Sequence, residues 1–480
     1  LKLSGLSTGK LAAIDAEDFA GIGSAGIASL STTQINSLST GQLFALSAVN
    51  VRGLAVGNVS PGAIARIQSS SLSGLSTAQI AALTTSNITG LTSSQIKAFA
   101  LVQVGAFEPA DIAAMTASQI NAFDTAQLQG LTSSQLQALT TANISGLRLE
   151  GLSAIAIQAI ETANLGALTS VQWIDGVTLQ NIVGLNSTQI GAVAVDRLSL
   201  LETRDVHAML SQQIAALSTA QVSALGVGFL QVLSTHNVQG LSPTSIGSLS
   251  IAQVSALESQ DFAALTSRQL SGFTTTQLQG FGVQQFNAIG ASNVKGLTTG
   301  QLSAINNPGS SFSTAAIAGF LATQVGSLTT TQVSSLVTNS KLAALNASNI
   351  VDLNLRGLSQ TDIKFIDLSA ISSLGTMQVA ALTSTQFFGL SAPQIQQLTT
   401  AQLSAFHTAQ PASFTTALIS SVLLSKGWLD PGDPANNILS PAQTSALYYS
   451  PLVFDLDGNG IRTLSVDRGV RFDLNADGRM

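Results

Sequence analysis

Apolar side chains recur every eight residues along most of the chain. With Leu75 as position 1 of a repeat, an apolar residue returns at that position without interruption as far as Leu147. Further runs begin at Leu6, Leu217 and Leu358. The typical repeat reads Leu, Ser/Thr, Ser/Thr, any residue, Gln/Asn, Ile/Leu/Val, any residue, Ala/Gly. Self-similarity at a fixed short period is typical of solenoids, in which each repeat packs only against its neighbours.

Each repeat carries the signals of a helix start. Ser or Thr at position 2 and Gln at position 5 have the spacing of a capping box, as in Thr92 with Gln95 and Thr132 with Gln135. The pair Thr84 and Asn87 is a weaker match. The apolar residues at positions 1 and 6 fit a hydrophobic staple. The pattern therefore predicts a short helix in every repeat, with positions 1, 6 and 8 buried in a continuous core.

The fold class that follows is an all-α solenoid of short capped helices. Strict alternation of polar and apolar positions is absent, and Ala and Gln are poor strand formers. The alternative is a β-solenoid with eight residues on one side of a coil, because the periodicity of short repeats is ambiguous. Position 5 is interpreted mainly as a cap of its own helix; a ladder or an outward-facing binding surface are the other options.

The repeat array is predicted to span residues 1–425, with joints near 55–70, 147–152 and 306–311. A proline-rich linker is expected at 426–450, followed by a truncated calcium-binding segment at 451–480. Trp173 is expected in the core, and Trp428 is expected to plug the end of the solenoid. The first residue is Leu1 and Met480 falls within a motif, so we expect a fragment of a longer protein.

Composition narrows the possible partners. Only 9% of residues are charged and the net charge is −6, with no run of Lys or Arg, so a nucleic-acid partner is poorly supported. There is no cysteine and no apolar run long enough to span a bilayer. His207, His236 and His407 lie far apart in sequence, and no repeat carries a catalytic set, so we expect no enzyme activity.

The C-terminal segment carries the one specific chemical motif. Asp455, Asp457 and Asn459 hold positions 1, 3 and 5 of a calcium loop; Gly460 permits the turn, and the Ile461 carbonyl supplies a further oxygen. The half-loop recurs 18 residues later, and its oxygen ligands are Asp473, Asn475 and Asp477. These hard oxygen ligands predict Ca²⁺.

The first loop departs from an EF-hand at its end. Position 12 is Val466 rather than Glu, and Asp467 one residue later is the candidate to complete the site. The flanks "PLVFDL" and "GVRFDL" indicate strands, so we expect an EF-hand-like loop with β character.

The segment "SPLVFDLDGNGI…GVRFDLNADG" resembles one found in large secreted bacterial proteins of the RTX type, which include hemolysin-like calcium-binding proteins and giant adhesins. The "GLTTAQIAAL"-like repeats are similar to those of long bacterial surface proteins. The resemblance implies type I secretion and calcium-assisted folding outside the cell.

Three functions remain open at this point. The first is a structural or adhesive stalk of a secreted or cell-surface protein, with calcium as cofactor and a cell-surface or host ligand, and with lateral self-association as an option. The second is a repeat-based binding module for a glycan, ice or a host protein. The third is the non-catalytic part of a larger secreted toxin or enzyme.

Overall fold

The structure is a computed structural model that describes residues 3–409 and, further on, residues 427, 439, 440, 442 and 443. The chain divides into two compact units, Leu1–Ala288 and Ile289–Met480. The described residues are helices and turns without any strand. The predicted all-α solenoid of short capped helices is confirmed, and the β-solenoid alternative is wrong for this part of the chain.

The first unit is a succession of helices of three to six residues, joined by short extended links. Its α-helices are Thr8–Ala12, Ala16–Ala20, Ser24–Ile27, Thr32–Asn36, Thr40–Ala45, Pro61–Ile64, Ser69–Leu72, Thr77–Ala81, Thr85–Ile88, Ser93–Lys97, Leu101–Val104, Pro109–Ala114, Ala117–Ile120, Thr125–Gln129, Ser133–Gln137, Ala154–Gln158, Thr162–Leu165, Leu179–Ile182, Ser187–Ala192, Val195–Leu198, Thr203–Ala208, Ser211–Ala215, Thr219–Ala224, Val227–Gln231, Pro243–Ser248, Ile251–Ala256, Ser259–Ala264, Ser267–Leu270, Thr275–Gln279 and Val283–Ala288. Its 3₁₀ helices are Asn50–Gly53, Val56–Asn58, Ile144–Gly146, Leu149–Gly151 and Val238–Gly240, and one π-helical turn covers Gln172–Gly176.

The second unit has the same construction. Its α-helices are Thr299–Ser303, Pro308–Ser311, Thr314–Ala318, Ala322–Gly326, Thr330–Thr338, Thr376–Ala380, Ser384–Phe387, Ala392–Gln397 and Thr400–Ala409. Its 3₁₀ helices are Val294–Gly296, Leu342–Ala344, Ile350–Asp352, Leu355–Gly357, Ile363–Phe365 and Leu368–Ser373.

In each typical repeat position 2 caps the helix, as predicted, and the helix begins at position 3. In the helix Ser93–Lys97, the Thr92 hydroxyl accepts from the backbone N–H of Gln95 at 3.2 Å. The Gln95 side-chain oxygen accepts in turn from the backbone N–H of Thr92 at 2.8 Å. These two bonds satisfy donors that a helix start otherwise leaves unpaired. The same capping box forms between Thr84 and Asn87 and between Thr132 and Gln135.

The solenoid core is built from positions 1 and 6. Leu75, Ile80, Leu83 and Ile88 illustrate it, since each is at most 5% exposed. Burying one such side chain contributes about 1.5–3 kcal/mol, which lets helices too short to stand alone persist in the stack. Position 8 is mostly half-buried, so its predicted burial is only partial. Position 5, although polar, is buried in most repeats.

Glycine at position 8 lets successive turns of the solenoid approach closely. An ideal Cβ on Gly146 would lie 1.9 Å from the carbonyl oxygen of Ala117, in the repeat three places earlier. Other repeats with Asn at position 5 show the same close approach, at Gly90, Gly184 and Gly240. The turns also approach closely at Gly389, whose repeat carries Gln386 at position 5. Glycine is therefore needed wherever two turns come this close, whichever amide occupies position 5.

Replacing Gly146 by alanine should therefore force two turns apart. We expect Gly146→Ala to lower the free energy of unfolding by about 1–3 kcal/mol, the usual cost of overpacking. The matched control is Gly228→Ala, because Gly228 lies in the helix Val227–Gln231 with nothing within 4 Å of an added Cβ. That control should gain about 0.5–1 kcal/mol. Equal losses in urea unfolding for both variants would contradict the close-approach argument.

Candidate functional site

The most regular chemical feature of the described chain is the row of buried amides at position 5. Each amide has two ends with different hydrogen-bonding capacity, an oxygen that accepts and a nitrogen that donates. The oxygen end serves the helix that contains the residue, through the capping box described above. The nitrogen end reaches a different turn of the solenoid.

Gln127 shows the full set of bonds. Its Oε1 accepts from the backbone N–H of Asp124 at 2.9 Å. Its Nε2 donates to the carbonyl oxygens of Ile96 at 2.9 Å and Phe99 at 2.8 Å, which lie 31 and 28 residues earlier. Both carbonyls belong to the end of a preceding helix, where backbone acceptors lack partners within that helix. One side chain thus caps the start of its own helix and the end of another.

We call this set of bonds the amide ladder. In the first unit the same pair of acceptors, 31 and 28 residues earlier, is used by Gln34, Gln42, Gln95, Gln103, Gln119, Gln135, Asn143, Gln213, Gln269 and Gln277. The acceptors are position 1 of the repeat three places back and position 6 of the repeat four places back. One turn of the solenoid therefore takes about three and a half repeats, or about 28 residues.

The apparent register breaks in the sequence are repeats of altered length that keep the ladder intact. Leu147–Gly151 is a five-residue repeat, and Gln172, which lies beyond it, bonds to Ile144 and Leu147 at separations of 28 and 25. Leu54–Asn58 is also a five-residue repeat, and Gln79, which lies beyond it, bonds to the carbonyls of Val51 and Leu54 at separations of 28 and 25 residues. The partners are set by the count of repeats and not by the count of residues. The five-residue repeat Leu147–Gly151 contains no Gln or Asn that could act as a ladder amide. Its Arg148 donates instead, from Nη2 to the carbonyl of Phe123.

The second unit repeats this arrangement. Residues 305–311 form a seven-residue repeat. Gln332, which lies beyond it, donates to the carbonyls of Leu302 and Ile305 at separations of 30 and 27 residues. The same kind of acceptor pair is used by Gln324, Gln378, Gln386 and Gln402, among others. Gln394 donates to the carbonyls of Ile366 and Lys364. Within the expected linker, Gln443 accepts from Ser440 N–H and donates to the carbonyls of Gln396 and Leu398, so it has the bonds of a repeat.

Three repeats of the first unit place a carboxyl group where the ladder amide belongs. Asp111, Asp205 and Asp261 occupy position 5 and are 1–2% exposed. Each follows a Glu at position 2, in "FEPAD", "LETRD" and "LESQD". Burial raises the pKa of Asp111 and of Asp261 to about 6, and it also raises the pKa of Asp205. The sequence analysis missed these residues, although the recurring Glu-x-x-Asp pair was a signal for them.

Positions 2, 3, 4 and 7 are exposed in most repeats and carry mainly small or polar side chains. A row of β-branched apolar side chains interrupts this coat: Val171, Val227 and Val283 are 64%, 49% and 57% exposed. They recur at intervals of 56 residues, which is seven repeats or about two turns, so they share one face of the first unit. Ile251 is 46% exposed, and its helix, Ile251–Ala256, packs against the helix of Val227. We call these four side chains the apolar ridge.

The predicted metal ligands cannot be placed. Asp455, Asp457, Asn459, Ile461, Asp467, Asp473, Asn475 and Asp477 lie outside the described residues, as does Trp428. Within residues 3–409 and the few described beyond them, no group of three or more His, Asp or Glu side chains is placed to hold a metal ion. His207 and His236 are exposed, whereas burial lowers the pKa of His407. Trp173 is 1% exposed, which confirms its predicted place in the core.

The surface of the described residues includes open depressions. One of about 570 Å³ is lined by residues Leu200–Arg204, and one of about 350 Å³ by residues that include Leu54, Gly57 and Gln79. The described helices include none with the length and apolar character needed to cross a membrane.

Comparison with known families agrees with the repeat geometry. A family described as the ALTTAQ repeat matches residues 11–48, 64–100, 104–141, 198–235 and 254–289. The chain is a repeat protein. No curated protein matches it. Among solved structures, the leucine-rich repeat-containing protein LegL7 from Legionella pneumophila is similar at 13% identity, over 56% of this chain and 79% of that one, with a TM-score of 0.14. A TM-score this low does not establish a common fold.

The repeat protein should depend strongly on single ladder amides. Gln127→Met keeps the side-chain length but leaves the Asp124 N–H and the Ile96 and Phe99 carbonyls without their partner. We expect the free energy of unfolding to fall by about 3 kcal/mol. The control Gln129→Met alters an exposed residue of the same helix, Thr125–Gln129, and should change stability by less than about 0.5 kcal/mol. Urea unfolding that gives equal values for both variants would refute the ladder.

Proposed function

We propose that the chain is a structural and adhesive stalk of a secreted or cell-surface bacterial protein, with a calcium-stabilised module at residues 451–480. In this proposal the repeat array is not catalytic. Its role is to hold surfaces at a distance or to hold them together, and its working environment is outside the cell.

The amide ladder is the observation that supports a stalk. Every ladder residue joins its own repeat to the repeats three and four places earlier, as Gln127 does, so load applied along such a unit passes through hydrogen bonds from side-chain amides to backbone carbonyls of the preceding turn. Stability that adds turn by turn is a property of solenoids, and it allows an array to be lengthened without a new core. A surface of hydroxyls and small side chains suits a spacer that must stay soluble at low charge.

The apolar ridge supports the adhesive part of the proposal. Val227 and Ile251 are both about half exposed, and their helices pack against each other, which makes part of the ridge continuous. Exposed apolar rows on a polar surface are typical of places where another molecule binds. A cell-surface or host ligand, or a neighbouring array, is the partner that we propose for it.

Calcium is proposed as the cofactor of the C-terminal module. Asp455, Asp457, Asp473 and Asp477 repel one another when no cation is bound, and calcium outside the cell would neutralise them. Because the ion binds the folded form, it would stabilise the module by mass action. Such a module would fold after export, which agrees with the secretion that the sequence resemblance implies.

Pulling the full chain from its two ends in an optical trap tests both the stalk and the calcium-stabilised module. We expect the array to unfold in several steps, each releasing a whole number of repeats, with or without calcium. One further step should appear only in calcium and should vanish in Asp455→Asn/Asp457→Asn. The control Asp15→Asn/Asp18→Asn alters two exposed acids of the array and should keep that step.

Two results would contradict the proposal separately. An array that extends without resisting force would rule out a stalk. A trace that is the same in calcium and in chelator would rule out the calcium module, whatever the array does.

A further inference from the structure

The three buried aspartates occupy a place that requires a hydrogen-bond donor. In the neighbouring repeats, Gln103 Nε2 donates to Leu72 and Leu75, and Gln119 Nε2 donates to Ile88 and Leu91. The same register puts the carbonyls of Ile80 and Leu83 opposite Asp111. By the same count, Asp261 faces the ladder carbonyls of Leu230 and Leu233, and Asp205 faces those of Trp173 and Val177.

Aspartate keeps one half of the ladder function and lacks the other. Asp111 Oδ2 accepts from the N–H of Glu108 at 3.3 Å, and Asp261 Oδ2 accepts from the N–H of Glu258 at 3.1 Å. Both carboxylate oxygens of Asp205 are buried without a hydrogen-bond partner. An ionised carboxylate has no hydrogen to donate, so it cannot bond to the carbonyls of the preceding turn.

A protonated aspartate has what the place requires. Its neutral carboxyl group has the size and shape of the Asn amide and one O–H donor. Asn143 shows that a side chain of this length reaches both acceptors, since its Nδ2 lies 2.9 Å from the Ile112 carbonyl oxygen and 3.0 Å from that of Met115. Neutral aspartic acid can therefore complete the ladder where the ionised form interrupts it.

We propose that Asp111, Asp205 and Asp261 are proton-dependent contacts between turns of the first unit, which tighten the solenoid in mild acid and loosen it at neutral pH. The repeat protein would then carry a built-in response to the acidity of its surroundings. The three places are spread along the unit, so protonation would act on several turns at once.

Few charged side chains lie near the three buried aspartates. The helix of Asp111 packs against Thr85–Ile88 and Ser133–Gln137, that of Asp205 against Leu179–Ile182 and Val227–Gln231, and that of Asp261 against Val283–Ala288 and Val238–Gly240. None of these six helices carries an ionisable side chain. The charges that act on the three aspartates are Glu108 on Asp111, Arg204 and Glu202 on Asp205, and Glu258 and His207 on Asp261.

The direction of the effect follows from the raised pKa values. The pKa of Asp111 and of Asp261 is about 6 in the folded chain, against 3.8 for an ordinary aspartate. A group with a raised folded pKa contributes its full stability below the unfolded pKa and loses it as the pH rises through the folded value. Stability should therefore fall as the pH rises from about 4 through about 6. His407, whose pKa is lowered by burial, acts in the opposite direction and is present in all variants.

The test is thermal unfolding of the full chain, followed by circular dichroism at a pH near 5 and a pH near 8. We expect the wild-type midpoint to be several degrees higher in acid. The triple variant Asp111→Asn/Asp205→Asn/Asp261→Asn should be more stable than the wild type near pH 8, and most of this pH dependence should be lost. Asn is already used at position 5, so the variant is expected to fold.

A reverse variant provides an independent check. Gln127→Glu puts an ionisable group into a ladder place that has none, and it should create a new loss of stability as the pH rises. A wild-type pH dependence that survives in the triple variant would overturn the proposal, as would a Gln127→Glu chain with an unchanged pH profile. Stabilisation by calcium near pH 8 that the triple variant lacks would show that a cation, and not a proton, fills these places.

Discussion

The position-5 amide is the interaction on which the structure depends. A helix of one or two turns leaves most of its backbone donors and acceptors unpaired within itself, so a stack of such helices is stable only if side chains pair them. Gln does this at both ends, since its oxygen accepts from the helix that it starts and its nitrogen donates to a helix completed about one turn earlier. The apolar residues at positions 1 and 6 supply the burial, and the amide fixes which turns meet.

This constraint explains features that otherwise look unrelated. Repeats of five and seven residues, and the nine-residue repeat at residues 168–176, occur without loss of the ladder, because a repeat needs only to present its carbonyls at the right place in the turn. Glycine at position 8 occurs where two turns approach closely, as at Gly146, whose added Cβ would lie 1.9 Å from the carbonyl oxygen of Ala117. Aspartate at position 5 keeps the acceptor and loses the donor, which makes the contact sensitive to protons.

Much of the local structure could be predicted from the sequence, and the long-range structure could not. The Thr-x-x-Gln spacing at Thr92 and Gln95 predicts the helix start because a capping box is a local interaction. An eight-residue period does not reveal how many repeats close one turn, so the bonds from Gln127 to Ile96 and Phe99 were not foreseen. Asp111 was missed because its burial comes from a neighbouring turn. The calcium ligands from Asp455 to Asp477 remain a prediction.

The most direct test of the account is a cysteine cross-link between turns, since the chain has no cysteine of its own. An ideal Cβ on Gly41 lies 3.6 Å from Cβ of Ala16, three repeats earlier, which is within the range of disulfides. We expect Ala16→Cys/Gly41→Cys to form an intramolecular disulfide in mild oxidant. Ala16→Cys/Thr33→Cys joins repeats that are nearer in sequence but only two places apart, and it should stay reduced. If the second pair oxidises as readily as the first, or the first stays reduced, a turn of three and a half repeats is wrong.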